Sequence, residues 1–186
     1  MEDNMILDLY WARHESAINE TADKYGNYCF AIAANITQSN EDAEECVNDT
    51  YLKAWGAIPP QRPDNFRAFL GKITRNLSLN KYKGQRTGKH GGGEVALLLS
   101  ELEDCIPSNN TVEAEFEESR VVEIINACLL SMGSEERVVF ARRYWYADSI
   151  GAIALRFQMS ESKVKSMLFR TRKALKNYLE KEGVAV

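Results

Sequence analysis

The sequence predicts an all-α protein made of two small helical domains joined by a flexible linker, and three observations carry that expectation. Apolar residues recur at i, i+3 and i+4 along most of the chain, and no β-branched segment alternates for long enough to be a strand. Five glycines between Gly84 and Gly93, with Pro107, Ser108, Asn109 and Asn110 further on, break the helical rhythm and bracket a linker. A length of 186 residues with 45% hydrophobic content supplies apolar material for two folded cores. The expected divisions are residues 1–83, a linker over 84–110, and residues 111–186.

Each element follows from local pattern. Between Glu41 and Trp55, the residues Ala43, Cys46, Val47, Tyr51, Ala54 and Trp55 share one helical face. Ser39 or Asn40 can cap this helix, and Glu41, Asp42, Glu44 and Glu45 crowd its first turns, where the helix dipole favours negative charge. Gly56 with Pro59, Pro60 and Pro63 ends it in a stiff loop. Phe66, Phe69, Leu70, Ile73 and Leu77 then mark one side of a second helix, with Lys72, Arg75, Asn76 and Lys83 on others, until Gly84 breaks it. Inside the linker, Leu97, Leu98, Leu99 and Leu102 suggest a short docked helix. From Thr111 a further helix carries Phe116, Val121, Ile124, Ile125, Cys128 and Leu129 on its apolar face. Ser134, a favourable N-cap, opens another helix that has Glu135 and Glu136 in its first turn and runs to about Tyr144.

The stretch Ser149 to Leu168 reads as helix, tight turn, helix. Ile150, Ile153 and Ala154 face the core, Phe157 and Met159 plug the turn, and Val164, Met167 or Leu168 anchors the second helix. Ser160 caps that helix, whose first turns present Glu161, Ser162, Lys163, Lys165 and Ser166, the placement from which a recognition helix meets base edges and phosphates. Arg170, Arg172 and Lys173 continue the basic surface.

Charge is segregated along the chain. The net charge of −4 and pI near 5.4 argue against nucleic-acid binding through the overall field. Yet Arg62 to Lys89 and Arg137 to Lys176 are basic, whereas the first fifty residues and Glu101 to Glu123 are acidic. This pattern points to two nucleic-acid contacts and at least one contact of another kind. Cys29, Cys46, Cys105 and Cys128 form no CxxC pair and lie mostly far from His14 and His90, so neither a metal site nor a disulfide framework is expected, and no cofactor. No apolar run approaches the roughly 20 residues of a membrane helix, and the acidic N-terminus is unlike a secretory signal, so a soluble, cytoplasmic protein is expected. Gly84-Gln-Arg-Thr-Gly-Lys-His differs from a P-loop, which needs four residues between its glycines and Ser or Thr after Lys. With no nucleophile set beside a base, enzymatic activity and a small-molecule substrate are not expected.

Glu135-Glu-Arg-Val-Val-Phe-Ala-Arg-Arg-Tyr, Ile153-Ala and Ser160-Glu-Ser-Lys-Val-Lys-Ser-Met-Leu together resemble the fourth conserved region of bacterial RNA polymerase sigma factors. Asp42-Ala-Glu-Glu-Cys-Val-Asn-Asp-Thr-Tyr-Leu-Lys-Ala-Trp resembles the second-region helix that grips the polymerase clamp, and Phe66 through Lys83 the neighbouring helix that captures the melted minus-ten element. The absence of an intervening third region is similar to the extracytoplasmic-function (ECF) group. The resemblance implies a region 2-like bundle, a region 4-like helix-turn-helix domain, and a role in transcription initiation with core RNA polymerase and promoter DNA as partners. It also implies an anti-sigma factor, which no residue here identifies. By the same resemblance Asp42, Glu45, Asn48 and Asp49 would bind core polymerase. Phe66, Lys72, Arg75, Asn76, Asn80 and Lys83 would bind the minus-ten element, aromatic and amide groups beside a basic face being what a single strand needs. Ser160, Glu161, Ser162, Lys163, Lys165, Ser166 and Arg170 would bind the minus-thirty-five element.

Four departures qualify the resemblance. Gln158 stands where such turns often have glycine, which costs on the order of 1 kcal/mol if it is left-handed. Met167 replaces a frequent arginine, Lys163 a usual threonine, and Gly133 a common proline. An autonomous helix-turn-helix transcriptional regulator is the alternative; it accounts for the C-terminal third and leaves the acidic and basic helices of Glu41 to Lys83 without a role.

Overall fold

In the computed structural model, residues 1–85, 93–103, 105–106 and 114–184 are described, and every regular element among them is an α-helix. The chain divides into two compact units, Met1–His90 and Gly91–Val186. Of the segment expected as linker, residues 86–92, 104 and 107–110 lie outside the described residues.

The first unit contains α1 (Asp3–Trp11), α2 (Ser16–Thr37), α3 (Asn40–Ala57) and α4 (Phe66–Gln85). Helices α2, α3 and α4 pack on one another and α1 lies on α2. Their apolar faces meet through Cys29, Ala33, Ala43, Cys46, Val47, Tyr51, Ala54, Ile58 and Leu70, and a fully buried Leu or Ile contributes about 1.5–3 kcal/mol. Asp3 anchors α1, accepting hydrogen bonds from the Tyr25 hydroxyl at 2.6 Å and the Lys24 ammonium at 2.7 Å. Ser39 caps α3 by accepting from the Asp42 N–H at 3.3 Å. A buried hydroxyl ladder joins α3 to α4: the Thr50 and Thr74 hydroxyls share a hydrogen bond of 3.0 Å, the accepting one donating in turn to its own helix's carbonyl, Cys46 or Leu70, and Ser78 donates to the carbonyl of Thr74. Every hydroxyl in it has a partner, so the ladder fixes rotation of α4 against α3 without leaving a polar group unmet.

The second unit contains α5 (Glu94–Glu103), α6 (Ala114–Ser131), α7 (Ser134–Tyr144), α8 (Ile150–Phe157) and α9 (Glu161–Lys181). The long α9 packs against α6, α7 and α8, and α5 lies on α7. Helix α5 is the short helix expected within the linker, and its Val95 and Leu98 are buried. Ser149 caps α8 and Ser160 caps α9, accepting from the N–H groups of Ala152 and Lys163 at 3.1 and 3.2 Å. Between them Gln158 is left-handed at φ 53°, ψ 43°, the turn conformation that favours glycine. Ile153, Ala154, Val164, Met167 and Leu168 are buried as expected, with Ile150, Phe157 and Met159 half-buried. One cap differs: Gly133 takes the N-cap position of α7, and Ser134 is the first helical residue with no side-chain capping bond.

Candidate functional site

On α3, the predicted acids divide between two environments. Asp42 and Glu45 both pair with Lys81 of α4, Asp42 at 3.0 Å, and the Glu45 and Asp42 hydrogen bonds push the Lys81 ammonium up from its ordinary value. These carboxylates are therefore already engaged, and Asp42 and Asp49 are half-buried. Asn48 is exposed, and so is Leu52 one turn on, at 65%. With Glu41 and Glu45 they form a stripe at spacings of four, three and four residues, which is one side of a helix.

Helix α4 presents a second stripe. Lys72, Asn76, Asn80 and Lys83 are all exposed and fall within about 80° of one another at 100° per residue. The sequence placed Phe66 with them, and the structure corrects that. Phe66 is 1% exposed, with edge-to-face contacts to Tyr10 and Tyr25 at 5.8 Å, so its ring is core and cannot stack on a base. Arg75 is half-buried, its Nη1 is buried without a hydrogen-bond partner, and burial pushes its guanidinium down from the ordinary value. Arg67, at the start of α4, lies over the Tyr28 ring at 4.6 Å.

The helix-turn-helix brings Ser160, Glu161, Ser162, Lys163, Lys165, Ser166 and Arg170 together on the exposed side of α9, as predicted. Lys163 lies 3.6 Å from Glu135 of α7 and Lys165 3.7 Å from Glu161, both pairs well exposed and readily exchanged for a phosphate. Met167 is buried, so an arginine there would not face outward from this helix. Behind this surface several cations counted as basic surplus are neutralised internally. Arg142 pairs with the nearly buried Asp148 at 2.5 Å, and Arg143, fully buried, contacts Glu94 at 2.6 Å and Glu101 at 3.3 Å. Among the described residues no group of three or more His, Cys, Asp or Glu converges to hold a metal, and no helix is long and apolar enough to cross a membrane. His90 lies outside the described residues.

The Sigma-70 region 2 family model matches residues 22–87, and the Sigma-70, region 4 model matches residues 123–175. The chain belongs to the sigma-70 family. It is 26% identical over 155 residues to the probable RNA polymerase sigma factor RfaY of Xanthomonas campestris pv. campestris, covering 82% of this chain and 38% of RfaY. Two further relatives place it in the ECF group. The ECF RNA polymerase sigma factor SigE of Mycolicibacterium smegmatis is 22% identical, covering 89% of this chain and 62% of SigE. The ECF RNA polymerase sigma factor SigL of Mycobacterium tuberculosis is 25% identical, covering 87% and 88%. The chain thus spans less than two thirds of the length of RfaY and of SigE. A solved structure of CnrH in complex with the cytosolic domain of CnrY matches at 20% identity and a TM-score of 0.44, covering 96% of this chain and 97% of that one.

Sequence reasoning missed two exposed apolar residues of this sigma factor, Leu52 on α3 and Phe169 on α9, the latter 60% exposed. Both complete a polar stripe, Glu41, Glu45 and Asn48 for Leu52, and Ser162, Ser166 and Lys173 for Phe169. That spacing was readable; an apolar residue in an otherwise polar helical stripe was the available signal.

Proposed function

We propose that this sigma factor binds core RNA polymerase and directs promoter-specific DNA binding, strand opening and transcription initiation, the polymerase carrying out the chemistry. The observation that carries the reading is the pairing of two exposed polar helix surfaces, on α4 and at the start of α9, with the region 2 and region 4 matches in that order. The first unit takes the polymerase on α3 and the minus-ten element on α4; the second takes the minus-thirty-five element on α9. Lys72 and Lys83 supply phosphate contacts and Asn76 and Asn80 amide donors and acceptors for unpaired bases. Lys163 and Lys165 exchange their exposed carboxylates for DNA. An anti-sigma factor would compete for these same surfaces, and the reading places the protein in the cytoplasm with its polymerase.

The test is a pull-down of purified bacterial core polymerase by the full chain. Because Asp42 and Glu45 hold Lys81, lysines there would also disturb the α3–α4 packing. Asn48→Arg and Leu52→Arg are exposed and free of that side effect. Wild-type capture lost in Leu52→Arg at unchanged circular dichroism supports the reading. Absence of wild-type capture, with sequence-specific DNA binding by the protein alone, would instead establish an autonomous helix-turn-helix regulator.

A further inference from the structure

We propose that Arg143 and Arg172 form a further phosphate-binding pair of the second unit, held shut by α5, whose Glu94 and Glu101 occupy it as a latch. This rests on the promoter-binding reading above. Glu101 Oε2 accepts from Arg143 Nε at 3.3 Å and from the Tyr144 hydroxyl at 3.0 Å, and lies 3.7 Å from Arg172 Nη1. Glu94 Oε1 accepts from Arg143 Nη1 at 2.6 Å, and Arg172 Nη1 donates to the Tyr144 hydroxyl at 2.6 Å. Two carboxylates on two guanidiniums are the chemistry of a phosphodiester contact, made here by the chain itself.

Location gives the pair its use. Arg172 is two residues beyond Arg170 on α9, and a cavity of about 200 Å³ lined by Cys105, Phe169, Arg172, Lys173 and Lys176 runs from just past the end of α5 to the outward stripe of that helix. Three cations line it, so phosphate admitted there would extend the contact that Lys163, Lys165 and Arg170 begin.

The latch is built to open. Helix α5 has ten residues, shorter than the roughly 12–15 an isolated helix needs, so it is a helix by virtue of docking. Only two of its side chains, Val95 and Leu98, are buried; Leu99 and Leu102 are half-buried and Leu97 is exposed. The docked state also leaves Arg143 Nη2 buried without a partner, an unmet donor that water or phosphate would satisfy on release.

The experiment compares Glu101→Gln with Glu103→Gln in the full chain. Glu103 is exposed on the same helix, so both variants change net charge equally. Binding of a fluorescent duplex is followed against salt, with amide exchange of Glu94–Glu103 read in parallel. Expected for Glu101→Gln are loss of α5 protection and a log K against log salt slope steeper by about 1–2 than in Glu103→Gln, one phosphate contact being worth about 0.9. Arg172→Gln should then remove more slope in the Glu101→Gln background than in wild type. Leu98→Ala, which loosens α5 with no change of charge, should steepen the slope likewise and serves if Glu101→Gln misfolds. Equal slopes for the two glutamine variants, or for Leu98→Ala and wild type with α5 shown to be released, overturn the proposal. A chain that captures polymerase but binds no duplex in any form overturns the latch and leaves the sigma reading standing. One that does neither overturns both.

Discussion

Replacing Arg143 by methionine should destabilise the second unit by about 2–3 kcal/mol and leave the first unit untouched. Arg143 is fully buried between Glu94 and Glu101, and removing one partner from a buried ion pair costs about 3–5 kcal/mol because a charge is left without compensation. Two features lower that figure. The Glu94 side chain is 37% exposed, so its freed carboxylate returns to water at little cost. Glu101, at 15% exposure, keeps the Tyr144 hydroxyl at 3.0 Å and Arg172 at 3.7 Å. Methionine retains the aliphatic stem, which limits any cavity. For a domain of this size 1 kcal/mol corresponds to about 4–8 °C, so the expected fall in Tm is roughly 10–20 °C. Calorimetry on the full chain reads it directly, one transition moving and the other staying. A fall below about 3 °C, or an equal fall in both transitions, would refute the burial argument. Adding Glu101→Gln to Arg143→Met should cost less than the sum of the two single changes, since the second removes a partner already lost.

Gln158→Gly should stabilise the second unit by about 1 kcal/mol, read as a higher urea midpoint, because Gln158 is left-handed at φ 53° and glycine adopts that conformation without a Cβ penalty. Acidification should loosen α1. Burial raises the Asp3 carboxyl, but the Lys24 and Tyr25 hydrogen bonds outweigh it and hold the carboxyl below its ordinary value. The stability it lends is therefore complete above the unfolded carboxylate range and disappears as pH falls through the lowered folded value. Amide protection along α1 followed downward from pH 5 should drop in wild type and show no such step in Asp3→Asn. Burial pushes the thiols of Cys29, Cys46 and Cys128 up, so iodoacetamide at neutral pH should label them only on unfolding; rapid labelling of the native protein at any of the three would contradict the packing.

The parts of the fold legible in the sequence were those fixed by short-range chemistry. Ser39 and Ser160 occupy helix N-caps because a hydroxyl two or three residues from an unpaired N–H needs no tertiary partner. The helix-turn-helix followed from apolar spacing in the same way, and its left-handed turn fell on Gln158. Phe66 failed for the opposite reason. An aromatic at a helix start reads alike in a base-stacking site and in a core, and its surroundings are supplied by Tyr10 and Tyr25, which lie in α1 and α2. Lys81 was counted as loose positive charge, yet the register that the Thr50–Thr74 ladder sets between α3 and α4 delivers it to Asp42 and Glu45. Ser134 missed by one position, Gly133 being already extended at φ −57°, ψ 148°.

The same tertiary pairing changes what the basic C-terminal half can do. By sequence, Arg142, Arg143, Arg172, Lys163 and Lys165 all add to a DNA-attracting surplus. In the folded unit Arg142 is matched by Asp148, Arg143 by Glu94 and Glu101, and Arg172 by Glu101; Lys163 and Lys165 have exposed carboxylate neighbours in Glu135 and Glu161. Arg170 and Lys173 are exposed and make no ion pair among the described residues. A chain of net charge −4 whose second unit spends Arg142, Arg143 and Arg172 on internal carboxylates has little long-range attraction for duplex DNA. The exposed pairs on α9 exchange easily at contact distance, where a phosphate displaces a carboxylate at small net cost. Affinity then comes from close, oriented encounter rather than from field, which is the behaviour that the proposed function requires of a factor delivered to promoters on a polymerase and not searching for them by itself.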